Sequence, residues 1–164
     1  MSNDDNAEGL KVRDVMTAKV ITVRENVTKQ QAARLLAQHR ISGLPVVNED
    51  DVLVGVVSEL DVISKKGQRV GDIMTRNAIS VAADTNLDDV SHIFVHEHIR
   101  RLPVLEQGKV VGIVSRADLV REVAKNWLCP VCGEVTYSEV ALERCPRCWA
   151  TDIATTSEIS PPGS

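Results

Sequence analysis

The sequence holds four cysteines, all near its C-terminal end, in two pairs: Cys129-Pro130-Val131-Cys132 and Cys145-Pro146-Arg147-Cys148. Their spacing is C-x2-C-x12-C-x2-C. Two residues between thiolates let one tight turn present both sulfurs to a single ion, and two such turns complete a tetrahedral S4 site. Free thiol pairs are the alternative, which four cysteines in this spacing with a proline inside each turn disfavour. Sulfur ligands suit zinc and iron alike. We expect structural zinc at Cys129, Cys132, Cys145 and Cys148, with iron as the alternative. So short a segment cannot bury enough surface to fold unaided, so metal binding is expected to supply much of its folding free energy. Trp127, Tyr137 and Trp149 are expected to pack around the cluster.

A second chemistry-bearing pattern is a serine followed three residues later by an aspartate, at Ser58 and Asp61 and again at Ser115 and Asp118. A carboxylate accepts hydrogen bonds from two vicinal hydroxyls, and a helix N-terminus offers free N–H groups to an anion. The same spacing also caps a helix with no ligand at all. Basic residues stand close by in one copy only. Arg100-Arg101 replace Ser42-Gly43, and Arg116 replaces Glu59. Guanidinium groups near a phosphate would add charge-assisted contacts, so the second copy is expected to supply the stronger phosphate site. The alternative is that these arginines are solvated or pair with Glu97 and Glu106. His92, His96 and His98 lack a ligand pattern and read as an exposed helix face.

The elements that position these residues come in two copies. Val12-Arg13-Asp14-Val15-Met16-Thr17 recurs as Val70-Gly71-Asp72-Ile73-Met74-Thr75, 58 positions on, and Leu44-Pro45-Val46 recurs as Leu102-Pro103-Val104. After a one-residue deletion, Val54 to Asp61 falls on Val111 to Asp118. Such register marks a duplication. In each copy a β-branched run (Ile21–Val23, Ile79–Val81) predicts a strand. Thr28 with Gln31 predicts a capped helix start, and Asn86 with Asp89 a looser one. Ala32, Leu35 and Leu36, matched by Val90, Ile93 and Phe94, form an i, i+3, i+4 apolar stripe. Strands at 44–47 and 52–57, or 102–105 and 110–114, follow, and Ser58 and Ser115 begin short helices. The order is β-α-β-β-α, twice. The fold class is α/β (α+β), with the two units packed as a pair because one is too small to close a core alone, plus a small metal-stabilised β ribbon.

The aspartate-hydrophobic-methionine-threonine opening, the leucine-proline-valine strand and the glycine-x-x-serine-x-x-aspartate close resemble the CBS repeat, whose paired form is called a Bateman module. The resemblance spans residues 10–125. It implies an adenosine ligand (AMP, ADP, ATP or S-adenosylmethionine) in the clefts between repeats. By that resemblance Asp61 and Asp118 would hold ribose, Ser58 and Ser115 would meet phosphate, and the segments around Ile21 and Ile79 would face the base. It also implies a homodimer formed through helices. The cysteine segment is similar to zinc ribbons and to the rubredoxin-like tail of rubrerythrins. It departs from the latter in ending its second turn with Trp149 rather than glycine, and no di-iron helical domain accompanies it.

Composition fits this organisation. Aromatic residues make up only 2% of the chain, and three of the four (Trp127, Tyr137, Trp149) lie in its last quarter. The expected segments are a disordered tail at 1–9, repeats at 10–68 and 69–126, a ribbon at 127–154 and a disordered tail at 155–164. A net charge of -4 gives no attraction to nucleic acid or to anionic membrane, and the ribbon itself is acidic (Glu134, Glu139, Glu143 and Asp152 against Arg144 and Arg147). No apolar run could span a bilayer and the N-terminus is unlike a targeting peptide, so a cytoplasmic protein is expected. No catalytic constellation is present, so an enzyme is not expected. The reading is a regulatory ligand-sensing module whose ribbon docks an unknown protein partner. The alternatives are an iron-binding redox protein regulated by the repeats, and an interaction scaffold with empty clefts.

Overall fold

The computed structural model describes residues 9–151. The tails expected at 1–9 and 155–164 lie, Gly9 aside, outside the described residues, as do ribbon positions 152–154. Two compact units are present, one ending at Arg116 and one beginning at Ala117. This division falls just after Arg116, the first residue of helix α6 (Arg116–Ala124). The last turn of α6 is bound to the ribbon: the Tyr137 hydroxyl donates to Glu122 at 3.0 Å, and Ser138 N donates to the Lys125 carbonyl at 2.9 Å.

The first unit begins with helix α1 (Val12–Val15), followed by helix α2 (Lys29–His39). Thr28 and Gln31 close the expected reciprocal cap on α2, at 3.2 and 3.1 Å. Strands β1 (Gly43–Val47) and β2 (Leu53–Ser58) form an antiparallel pair with Leu44 opposite Val57 and Val46 opposite Gly55. Helix α3 (Glu59–Ser64) starts at Ser58. The second copy runs through helix α4 (Val70–Ile73), strands β3 (Thr75–Arg76) and β4 (Val81–Ala82), and helix α5 (Leu87–Glu97). It ends with β5 (Arg101–Glu106) antiparallel to β6 (Lys109–Ser115). Asn86 precedes α5 but does not cap it through its side chain, because its Oδ1 accepts from Lys11 Nζ at 2.8 Å. The predicted stripes face inward: Ala32, Leu36, Val90 and Phe94 are buried. The strand expected at Ile21–Val23 is only a parallel bridge from Val23 to Val46, since the chain turns away immediately at Arg24. Its counterpart β4 begins at Val81 and leaves Ile79 outside.

Each copy's opening segment completes the other copy. Met74 and the α4 residues Val70 and Ile73 sit in one core with Val23, Ala32, Leu36, Leu44, Val46 and Val57 of the first repeat. Strand β3 extends that repeat's sheet beside β2. Reciprocally, Val12 N and Arg13 N donate to the carbonyls of Thr85 and Ala83 at 2.9 and 3.0 Å, and Thr17 pairs with Ile113 of β6. Repetition alone leaves this exchange invisible, because Val12–Thr17 and Val70–Thr75 are interchangeable in pattern. The short helices α1 and α4 were also not expected. Their signal was the repeated aspartate: Asp14 accepts from Lys11 N at 2.8 Å and Asp72 from Arg69 N at 3.0 Å, each closing the first turn.

Among the described residues no helix is long and apolar enough to cross a membrane. The exchanged segments press on the sheets at two glycines. A Cβ on Gly55 would lie 2.6 Å from the Thr75 backbone oxygen, whereas one on Gly112 would meet first the flexible Met16 sulfur, at 2.4 Å. Overpacking against backbone costs about 1–3 kcal/mol. Gly55→Ala is therefore expected to lower the urea midpoint clearly, and more than Gly112→Ala. Equal effects would contradict the rigid contact assigned to Thr75.

Candidate functional site

In the first unit a cleft of about 390 Å³ opens between the end of repeat one and the start of repeat two. That volume lies within the ~300–1,000 Å³ typical of small-ligand pockets. Its apolar wall includes Pro45, Val56, Ile79, Ile99, Leu102, Pro103 and Ile113, and its polar groups include Ser42, Ser58, Asp61, Thr75, Asn77, Arg100 and Arg101. The exchange builds it. Thr75 stands in β3 on the edge of repeat one's sheet, and the chain then runs directly through Asn77, Ala78 and Ile79. Ser42, Thr75 and Asn77 were not singled out by the sequence. Asn77 carried a weak signal only, being one of few residue types that tolerate its left-handed backbone (φ 55°).

Asp61 is the cleft's acid. It is buried, 7% exposed, although most aspartates lie at the surface. Its Oδ2 accepts from Ser58 N at 2.8 Å, the Ser58 hydroxyl oxygen accepts from Asp61 N at 3.1 Å, and Lys65 Nζ sits 2.8 Å from Oδ1. The helix cap that the serine-aspartate spacing permits is therefore formed, and the same carboxylate also faces the cleft. Burial pushes the carboxyl up, but the Lys65 hydrogen bond, the bonds from Ser58 and the Lys65 charge together hold it below the ordinary aspartate value of 3.8.

Arg100 and Arg101 line the cleft of Ser58 and Asp61. The reason is the strand register: they lead into β5, whose start faces the first repeat's serine corner across the cleft. Arg116 Nε donates to the Ile99 carbonyl at 2.8 Å and an Nη to Phe94 O at 3.4 Å. Ile79 faces the cleft, while Ile21 is half-buried against the first repeat's core. Ser115 ends β6. Asp118 belongs to the second unit, is 5% exposed and is paired with Arg121. His92 and His96 stack on the exposed side of α5, ring centres 6.2 Å apart.

In the second unit, strands β7 (Asn126–Leu128) and β8 (Val135–Tyr137) form a hairpin that leads into and out of the first cysteine turn. The two turns are near-copies. Gly133 N and Trp149 N donate to the carbonyls of Cys129 and Cys145, both at 2.9 Å, and Cys129 N and Cys145 N donate to those of Glu134 and Ala150 at 2.8 and 2.9 Å. All four sulfurs lie within 4.8 Å of one another, with Cys129–Cys148 at 3.6 Å and Cys132–Cys145 at 3.7 Å. Tetrahedral coordination at ~2.3 Å per sulfur requires separations of about 3.8 Å. The donor set thus fits one metal ion. The Cys132 backbone N–H draws the Cys129 thiol down to about 7 against the opposing effect of burial. The Glu134 and Ala150 N–H groups favour the thiolates of Cys132 and Cys148, but burial and neighbouring sulfurs raise both. Four such thiols ionise together only around a cation.

The aromatic core expected for the ribbon is only partly formed. Trp127 packs on the cysteines with Leu142 and Ala150, and its Nε1 donates to Ser138 O at 3.2 Å. Tyr137 and Trp149 are 49% and 68% exposed. Trp149 occupies the left-handed position (φ 65°) that Gly133 fills in the first turn (φ 76°), which aims its ring outward beneath Arg144.

The CBS domain family profile matches residues 12–67 and 70–125. The chain belongs to the CBS domain family. Protein MJ1225 of Methanocaldococcus jannaschii is 28% identical over 153 residues, 90% of this CBS chain; the chain spans about half of that relative's length, 55%. Among solved structures, CBSX2 of Arabidopsis thaliana in complex with AMP is 33% identical with a TM-score of 0.67, covering 70% of this chain and 96% of that one. The CBS domain pair of protein MJ0100, in complex with 5′-methylthioadenosine and S-adenosyl-L-methionine, is 32% identical with a TM-score of 0.64, covering 68% and 94%.

Two outcomes follow from this geometry. Because folding lowers the Asp61 pKa, its charge stabilises the fold above the ordinary carboxylate range, and that contribution is lost as pH falls through the lowered value. Asp61→Asn is expected to destabilise at neutral pH and to flatten the acid limb of the stability profile; an unchanged acid limb would refute the assignment. In the ribbon, a Cβ on Gly133 meets nothing within 4 Å, so Gly133→Ala should cost about 1 kcal/mol through backbone strain alone. Trp149→Gly removes that strain and an exposed cation–π contact of ~0.5–1 kcal/mol, leaving little net change. Chemical denaturation of metal-loaded protein, followed by Trp127 fluorescence, separates the two.

Proposed function

We propose that this CBS pair is a regulatory ligand-sensing module, not an enzyme, whose first-unit cleft binds an adenosine compound. The observation that carries the reading is the cleft itself: a buried, ionised Asp61 on one wall and an apolar surface containing Ile79 on the other. Asp61 retains acceptor capacity for ribose hydroxyls, since each carboxylate oxygen takes more than one hydrogen bond. The Ser58 hydroxyl keeps its proton to donate. Adenine lies against the apolar wall. The adenosine ligands named for the CBSX2 and MJ0100 structures support this class of occupant.

The ribbon holds structural zinc and docks a protein partner. Exposed Leu128, Val131, Val135, Val140 and Trp149, each 60–70% exposed, support a docking role. The module forms a homodimer through its helices. Support comes from Leu60 and Ile63 on α3 and Val95 on α5, which are 66%, 80% and 68% exposed.

The test is ligand-dependent stability. An adenosine compound at a hundred times its dissociation constant should add about 2.7 kcal/mol, and Asp61→Ala should remove most of that gain. Native mass spectrometry of gently purified protein should show a retained adenosine compound, one zinc per chain and a dimer. If none of AMP, ADP, ATP or S-adenosylmethionine raises the melting temperature, the sensing function is wrong.

A further inference from the structure

We infer that the metal ion of the ribbon also governs the second repeat: loading of the four-cysteine site orders helix α6 and thereby fixes Asp118. This rests on the metal reading of the cysteine cluster and is independent of what the cleft binds.

Helix α6 has little of its own to hold it. It is nine residues long, and isolated helices below about 12–15 residues are marginal in water. None of its apolar side chains is buried: Leu119 is half-buried, and Val120 and Val123 are 66% and 69% exposed. Asp118 is its one buried residue. Its counterpart α3, by contrast, is capped by Ser58 and packs Val62 against the first repeat's core. From Ala117 on, α6 belongs to the same compact unit as the ribbon.

The ribbon supplies what the helix lacks. Asp118, Arg121, Glu122 and Lys125 follow an i, i+3, i+4, i+7 spacing and so share one face. Asp118 pairs with Arg121, and Glu122 with Lys125 at 2.7 Å. The Glu122 side chain is only 14% exposed, and its other carboxylate oxygen accepts from the Tyr137 hydroxyl at 3.0 Å. Lys125 Nζ lies 3.4 Å from Glu139 and 5.8 Å from the centre of the Tyr137 ring, and the Lys125 carbonyl accepts from Ser138 N at 2.9 Å. These partners sit at the end of β8, whose other end leads into the cysteines. Tyr137 is opposite Asn126, Val135 is opposite Leu128, and Glu134 O accepts from Cys129 N at 2.8 Å. A hairpin of two three-residue strands is not stable by itself. Its footing is the cysteine cluster, whose sulfurs lie within 4.8 Å of one another and need a cation to stay together as thiolates. Losing the ion releases Tyr137 from Glu122, and α6 frays from its C-terminal end toward Asp118.

Hydrogen exchange of the full chain, read by mass spectrometry with and without zinc(II), tests this. Stripping the metal with a chelator under reducing conditions should speed exchange across residues 118–125 by about tenfold or more, the scale of one hydrogen bond to a charged group. Adding back zinc(II) should restore the protection, and α2 should exchange alike in both states. In zinc-loaded protein, Y137F and E122A should each speed exchange over the same residues while elemental analysis shows zinc retained. Equal protection of α6 with and without zinc would overturn the coupling. Equal loosening of α2, or Y137F and E122A chains that both exchange like the wild type, would do the same while leaving the metal site intact. A chain that takes up no zinc would overturn the metal reading of the ribbon as well.

Discussion

The first unit depends on the reciprocal exchange of its opening segments. Val70, Ile73 and Met74 fill the core of the first repeat, and the Val12–Thr17 segment bonds to the second. Each repeat by itself offers one small sheet and one long helix, which leaves an apolar edge open. Supplying that edge from the other copy gives both repeats a closed core without large side chains, so Phe94 is the first unit's only aromatic residue among those described. It also makes the two halves inseparable: removing one repeat would take away part of the other's interior.

The cleft is a consequence of the same exchange. Because β3 pairs with β2, the chain must cross from repeat one's sheet back to its own through Asn77 to Ile79, and that crossing forms one wall opposite the Ser58–Asp61 corner. The corner's dual use is physically economical. A carboxylate at the third position of a helix caps the backbone with one oxygen and remains in a polar contact network with the other. Lys65 keeps it ionised in a buried position, where an uncompensated acid would neutralise instead.

The second unit reaches order by a different route. Its buried residues are chiefly the cysteines themselves, with Trp127, Leu142 and Ala150 around them. Backbone hydrogen bonds repeat from one cysteine turn to the other, so the sulfurs are brought together by local turn geometry rather than by a hydrophobic core. That explains why two of its three aromatic residues face solvent: the cluster has no space between its sulfurs for a ring, and the left-handed residue ending each turn points away from it.

The sequence by itself determined whatever depends on local spacing. The cysteine knuckles, the caps at Thr28 and Ser58, the inward stripes on α2 and α5 and the paired hairpins all follow from residues a few positions apart, because backbone geometry fixes what such neighbours can touch. Internal repetition likewise established a pair of similar units. Only the tertiary structure decided which copy each opening segment completes, since both copies have the same pattern and the choice lies in long-range packing. It decided that Arg100 and Arg101 line the cleft of the first serine-aspartate corner while Arg116 bonds to backbone. These outcomes were not legible because they are set by strand register and by the path between sheets, which join residues dozens of positions apart and leave no periodicity in the chain.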